Sequence, residues 1–301
     1  MIDSTAESRM ENILAVQKQA QLEQAVPDLA QRRRRLQGCI DLLVENYSAL
    51  CRAVSEDYGH RSEHLTLGEI QGTLANLKYT YKHLGKWMRP ERRPTQFPLN
   101  LLGAKSQIEY QPKGVVGVVS PWNFPIKLSL VPLGEALATG NRVMLKPSEF
   151  SPRTSALLLE LVGRYFSEDV VAVVTGGPEV GAAFSALPFD HLFFTGGTSI
   201  GRTVMEAAAK NLTPVTLELG GKSPVVVAPS ARMASTVERL LTAKTQNAGQ
   251  VCVSPDYVFV QENSLEAFIE HCREVFVRQY PDPITSPDYT TLINDRHYQR
   301  I

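Results

Sequence analysis

The chain has 301 residues, of which 43% are hydrophobic and 21% charged, enough for about two packed domains at roughly 150 residues each. Thirty-one Lys plus Arg balance 31 Asp plus Glu, so no global field draws the protein to nucleic acid or to an anionic membrane. Apolar stretches such as Val170 to Val174 fall far short of the roughly 20 residues a membrane-spanning helix needs.

The N-terminal segment MIDSTAESRMENIL is acidic and polar where a secretory signal carries a basic start and an apolar run, which predicts a cytoplasmic protein. Asp28, after Pro27, is a plausible N-cap for a helix whose apolar residues Leu36, Ile40, Leu43, Tyr47, Leu50 and Val54 keep one face. Gly59 marks its expected end. The Arg32–Arg35 run lies on this helix and reads as a solvated face. A second helix repeats the pattern at Ile70, Leu74, Leu77, Tyr81 and Leu84, and a basic, proline-containing connector follows from Lys86 to Pro98.

From about Ser106 the character changes to short strand-like runs: IEYQ, VVGVVS, RVMLK, VVAVV, HLFF, PVTLEL and PVVVA. Helical stretches such as Thr154 to Tyr165 and Gly201 to Lys210 separate several of them. This alternation predicts an α/β fold with a doubly wound parallel sheet. Continuous Val/Ile/Leu runs are expected of strands buried on both faces.

Ligands of open parallel sheets bind beyond the carboxyl ends of the strands. There the sequence places Lys146-Pro147-Ser148-Glu149 after RVMLK, Thr195-Gly196-Gly197 after HLFF, and Gly220-Gly221-Lys222 after PVTLEL. A cation, a carboxylate and two glycine turns suit a phosphorylated nucleotide. The Gly196–Gly201 loop opens a helix whose first N–H groups lack internal partners and favour an anion. It also approaches a P-loop, with Arg202 where that motif requires lysine; nucleoside triphosphate hydrolysis and a plain turn are the competing readings. The four cysteines, Cys39, Cys51, Cys252 and Cys272, are too scattered for a disulfide framework, and no CxxC pair points to a metal. Cys252, between a helical stretch and a strand, is either a nucleophile or a small buried hydrophobe. Glu218 interrupts an apolar strand and is expected to be buried, the environment that fits a carboxyl for general-base work. The alternative is a carboxylate paired with a lysine or a backbone N–H. Asn123, within Pro121-Trp122-Asn123-Phe124-Pro125, either shapes a turn or donates to an oxyanion.

These segments, with Phe194-Thr195-Gly196, Leu217–Pro224 and Asn247–Cys252, occur in the order seen in the aldehyde dehydrogenases, which the chain resembles. Tyr58–Ser62, Trp87–Pro90 and Phe184–Asp190 resemble the coniferyl aldehyde dehydrogenase branch of that family. The resemblance implies NAD-dependent oxidation of an aldehyde, of aromatic, coniferyl type, to the acid. Cys252 would be the nucleophile, Asn123 and the Cys252 N–H the oxyanion donors, and Glu218 the base for the hydrolytic water. Lys146 and Glu149 would hold the adenine-side ribose, with Trp122, Ser148 and Leu219 beside the cofactor and Gly196, Gly197 and Gly201 facing the pyrophosphate. Glu149 favours NAD over NADP, because a carboxylate suits free ribose hydroxyls. Many relatives carry Ser where this chain has Gly197. The implied organisation is residues 1–104 as N-terminal helices and connector, 105–224 as the dinucleotide-binding core, and 225–301 as the first part of a second, catalytic α/β domain. Family members continue beyond the position matching Ile301, so the chain is expected to be a shortened member. It would be either a working enzyme or a catalytically incomplete NAD-binding remnant. A homodimer, through an arm near Lys105–Tyr110, is the family expectation.

Overall fold

The computed structural model describes residues 4–301. Residues 1–3, the start of the N-terminal segment read above, lie outside the described residues. Three helices come first: α1 (Ser4–Glu23), α2 (Leu29–Tyr58) and α3 (Glu63–Trp87). Asp28 caps α2 as expected. Its carboxylate accepts from Gln31 N at 2.7 Å and the Gln31 amide accepts from Asp28 N at 2.9 Å, a reciprocal box that satisfies two helix-end donors. Helix α1 has no counterpart in the expected elements. It buries Met10, Ile13 and Leu14 against the sheet layer, and its Gln17 amide donates to Val143 O and Glu168 O.

The Arg32–Arg35 run differs from the solvated face expected of it. Arg34 is exposed, but Arg32 is buried, with Nε donating to Pro27 O at 2.8 Å and Nη1 to Ala138 O at 3.2 Å. The guanidinium satisfies carbonyls just before α2 and at the last residue of α4 (Lys127–Ala138) that packing has removed from water, which a charge run in sequence does not reveal.

Strands β1 (Glu91–Arg93) and β2 (Ser106–Ile108) form an exposed antiparallel ribbon. The predicted IEYQ strand thus sits a few residues earlier. Five strands then build one parallel sheet: β3 (Val115–Val119), β4 (Arg142–Lys146), β5 (Val171–Val173), β6 (His191–Gly196) and β7 (Val215–Leu219), in the order β5-β4-β3-β6-β7. Helices α4 (Lys127–Ala138), α5 (Pro152–Tyr165), α6 (Pro178–Ser185) and α7 (Thr198–Ala209) alternate with them. The chain winds outward from β3 first one way, then the other, so the topological switch point lies between β3 and β6. One core holds α2–α5 against the sheet; a second lies between the sheet, α1, α6 and α7.

Strands β3, β4 and β5 are almost wholly buried, as their continuous apolar runs predict, whereas β6 and β7 are only partly so. Among the described residues strand β7 is an edge, with a neighbour on one side only. Residues after it form a smaller unit: β8 (Ser223–Val226) pairs in parallel with β9 (Pro255–Phe259), and α8 (Met233–Thr245) packs with α9 (Leu265–Gln279) around Val227, Val237, Phe268 and Val275. A short helix, α10 (Asp295–Arg300), follows. Among the described residues no helix is long and apolar enough to cross a membrane.

Candidate active site

The register of the sheet aligns the strand ends that carry the candidate residues. Val119 at the end of β3 pairs with Lys146 on one side and with Phe194 on the other, and Gly196 pairs with Leu219. Lys146 is buried and its Nζ donates to Pro147 O at 3.1 Å and to Glu149 Oε2 at 3.3 Å. Gly181 of α6 makes room for this side chain, since a Cβ there would stand 3.3 Å from Lys146 Cε. Ser148 is buried as well. Its hydroxyl accepts from Phe150 N and its carbonyl accepts from Ser155 Oγ, so it shapes the turn into α5.

Gly197 is the N-cap of α7 and provides no side-chain acceptor, which leaves the first N–H groups of that helix open to an anion. Gly201, one turn in, lies under Leu219, where a Cβ would come within 2.8 Å of Cδ2. Thr195 Oγ1, just before this loop, is buried without a partner. Trp122 is half-buried and meets the His297 ring edge-on at 4.7 Å.

Asn123 follows β3 and faces the cysteine-bearing segment. Its Nδ2 donates to Gln250 O at 3.1 Å, two residues before Cys252. The amide carries two protons, so one remains for another acceptor. The Asn123 carbonyl in turn accepts from Arg61 Nη1 at 2.8 Å, Asn247 Nδ2 at 3.1 Å and Tyr58 Oη at 3.2 Å. Burial pushes the Tyr58 phenol up to about 12, keeping its proton available for this bond.

The segment entering the cysteine has an uncommon backbone. Asn247, Ala248 and Gly249 have φ of 52°, 52° and 75°, three successive left-handed residues, two of them with a Cβ that disfavours this region. Side chains hold the conformation. Asn247 Nδ2 also reaches Gln250 O, while Gln250 Nε2 donates to Asn247 O at 2.9 Å and Thr291 O at 3.0 Å, and Gln250 Oε1 accepts from Ile293 N. Thr291 Oγ1 donates to Tyr58 O.

Of the four cysteines, Cys252 alone is exposed. Burial pushes the Cys39 thiol up to about 12 and raises those of Cys51 and Cys272, which keeps all three in the unreactive thiol form. Gly221 lies against the Cys252 carbonyl, at 3.9 Å from where its Cβ would be. Glu218, three residues earlier, departs from expectation: it is exposed. Among the described residues no strand lies beyond β7 to cover the Glu218 position, which pairs with Thr195 on its inner side.

Residues 58–69 contribute more to this site than their sequence suggests. Arg61 and Glu69 form an ion pair of 2.8 Å in which both side chains are 0% exposed. Glu69 Oε1 also accepts from Ile126 N at 2.8 Å and Lys127 N at 2.9 Å, at the start of α4. Burial pushes the Glu69 carboxyl up, and Arg61 with the two N–H groups works against that. A sequence signal exists: Thr66, Glu69, Thr73 and Thr80 recur at helical spacing as a buried polar stripe beside the apolar one.

A separate concavity of about 970 Å³ is lined by Leu84, Trp87, Tyr110, Val131 and Phe193, and by none of the candidate site residues.

The aldehyde dehydrogenase family matches residues 2–301. The chain belongs to this family. It is 52% identical over 285 residues to the coniferyl aldehyde dehydrogenase of Pseudomonas sp. (strain HR199 / DSM 7063), covering 94% of this chain and 58% of that protein. It is 36% identical to the 4,4'-diaponeurosporen-aldehyde dehydrogenase of Staphylococcus aureus, covering 92% of this chain and 60% of the relative. The solved substrate-bound state of Staphylococcus aureus AldH superposes with a TM-score of 0.91 at 34% identity, over 97% of this chain and 63% of that one. The chain therefore spans about 60% of the length of these relatives. Family membership accounts for the shared doubly wound sheet and excludes the P-loop reading of Gly196–Thr203.

Proposed function

We propose that the protein oxidises an aldehyde, of aromatic, coniferyl type, to the carboxylic acid with NAD. The observation that carries this is the bond from Asn123 Nδ2 to the loop of the single exposed cysteine, which ties an oxyanion donor to a thiol nucleophile. An aldehyde gives up hydride only after it becomes tetrahedral. Cys252 Sγ, its proton lost to solvent, adds as the thiolate to the carbonyl carbon, and the resulting oxyanion is held by the free N–H of Asn123 and the Cys252 N–H. NAD, when bound, supplies the hydride acceptor that converts this adduct to a thioester. Glu218 takes a proton from the water that releases the acid and leaves the thiol free.

The residues fit a dinucleotide. The open α7 N-terminus, the unpartnered Thr195 Oγ1 and the Lys146–Glu149 pair line the carboxyl ends of β4 and β6, where Trp122 and Leu219 add apolar walls. Lys146 and Glu149 would hold the adenine-side ribose and Gly196–Gly201 the pyrophosphate. Glu149, 30% exposed at its side chain, repels a 2′-phosphate. Glu149→Gln should raise NADP affinity relative to NAD by about tenfold, the equivalent of roughly 1.4 kcal/mol; an unchanged ratio in calorimetry would remove Glu149 from cofactor choice.

Gly197 gives a further test. Its φ of −75° suits any residue and a Cβ there meets nothing within 4 Å. Gly197→Ser should tighten NAD binding several-fold by adding a hydroxyl at the phosphate, while stability changes by only a few tenths of a kcal/mol. Weaker binding would place the phosphate elsewhere.

The decisive experiment is NADH absorbance from the purified chain with NAD and coniferyl aldehyde. A second reading, NAD binding without turnover, is favoured by the exposure of Cys252 and Glu218, because oxyanion chemistry gains from a site closed to water. It predicts calorimetric NAD binding with no absorbance change. The fully exposed β1–β2 ribbon is the element we assign to a homodimer contact.

A further inference from the structure

We infer that Arg61, clamped by Glu69, is the positioning residue for the Asn123 oxyanion donor. The inference rests on the proposed role of Asn123. The pair grips the Pro121–Ile126 loop at two points: Arg61 Nη1 holds the Asn123 carbonyl in its middle, and Glu69 Oε1 holds the N–H groups of Ile126 and Lys127 at its C-terminal end. Between these two anchors the loop has little freedom to move the Asn123 amide. Guanidinium suits this task because its planar fork reaches two acceptors at once, Glu69 Oε2 through Nη2 and Asn123 O through Nη1. Lysine has one charged atom in place of the fork. The Arg61 carbon Cζ also lies 5.0 Å from the Phe124 ring centre and 5.3 Å from that of Tyr58, so the group is boxed in from its faces.

Arg61 is thereby placed to act without touching substrate. An error of about 1 Å in the donor position costs on the order of 10²-fold in rate, comparable to losing an oxyanion donor, about 10² to 10³-fold. The same displacement has no effect on a reaction that develops no oxyanion.

That contrast supplies the test. The purified 301-residue chain and its variants react with p-nitrophenyl acetate, whose attack by Cys252 passes through an oxyanion, and with iodoacetamide, whose displacement at a saturated carbon does not. Labelling is read at the Cys252 peptide by mass spectrometry. The variants are Asn123→Ala, Arg61→Lys, and Arg61→Met combined with Glu69→Gln, which leaves no unpaired buried charge and keeps an acceptor for Ile126 and Lys127.

We expect acetylation to slow by tenfold or more in all three, with iodoacetamide labelling within about twofold of the parent. If Asn123→Ala slows acetylation while both Arg61 variants match the parent, Arg61 has no positioning role and the role of Asn123 stands. If Asn123→Ala also matches the parent, the oxyanion role falls and the inference falls with it. Equal loss of both reactions in the Arg61 variants would mark a general structural role and overturn the inference.

Discussion

Cys252→Ala should abolish NADH formation from NAD and aldehyde, by at least about 10⁴-fold, the scale on which enzymes lose rate when a covalent nucleophile is removed. NAD affinity should not change, because the thiol lies on the loop before β9 while the proposed dinucleotide crevice lies at the ends of β4 and β6. The expectation follows from exposure: of the four thiols Cys252 is the exposed one, while Cys39 and Cys51 are buried and Cys272 is half-buried. Iodoacetamide should inactivate the parent in proportion to labelling at Cys252. Residual turnover in Cys252→Ala above about one part in 10⁴ would show that another group attacks the aldehyde.

The largest expected loss of stability comes from Glu69→Ala. Removal of one member of a buried ion pair leaves the other uncompensated and costs about 3–5 kcal/mol. Here Arg61 keeps a charge at 0% exposure, and the N–H groups of Ile126 and Lys127 lose their acceptor together. The urea midpoint should fall accordingly. In the double variant Arg61→Met with Glu69→Gln the pair is replaced as a unit, and most of the loss should disappear. Equal destabilisation in both would overturn this account, since the double variant strands no charge and keeps an acceptor for Ile126 and Lys127.

The contrast between legible and hidden features has a physical basis. The helix beginning after Asp28 announces itself through its cap and apolar spacing, and β3, β4 and β5 through runs that only double-sided burial explains. Their interactions are local or depend on burial alone. Glu218 is different: its exposure depends on whether another strand lies beyond β7, a fact not carried by the residues around it. Arg32 is hidden for a related reason, because the carbonyls it satisfies belong to Pro27 and Ala138, the latter far away in the chain. Helix α1 offers little amphipathic signal because a few residues, Met10, Ile13 and Leu14, do its packing. The left-handed run at Asn247 and Ala248 could not be foreseen, since alanine has no preference for that conformation and adopts it only because surrounding side chains enforce it. The candidate site residues were accessible through their order along the chain, whereas the Arg61–Glu69 support needed the fold.

The clasp around the cysteine loop also fixes when the site can come into being. Gln250 is fastened to Thr291 and Ile293, and Thr291 reaches back to Tyr58. As the ribosome delivers the chain from its N-terminus, all five strands of the parallel sheet can pair before Thr291 has been made. The loop bearing the thiol still lacks its clasp at that stage. The proposed nucleotide crevice at the ends of β4 and β6 thus draws only on residues made before Thr291, whereas the left-handed turn beside Cys252 stays unlatched until Thr291 and Ile293 have been made.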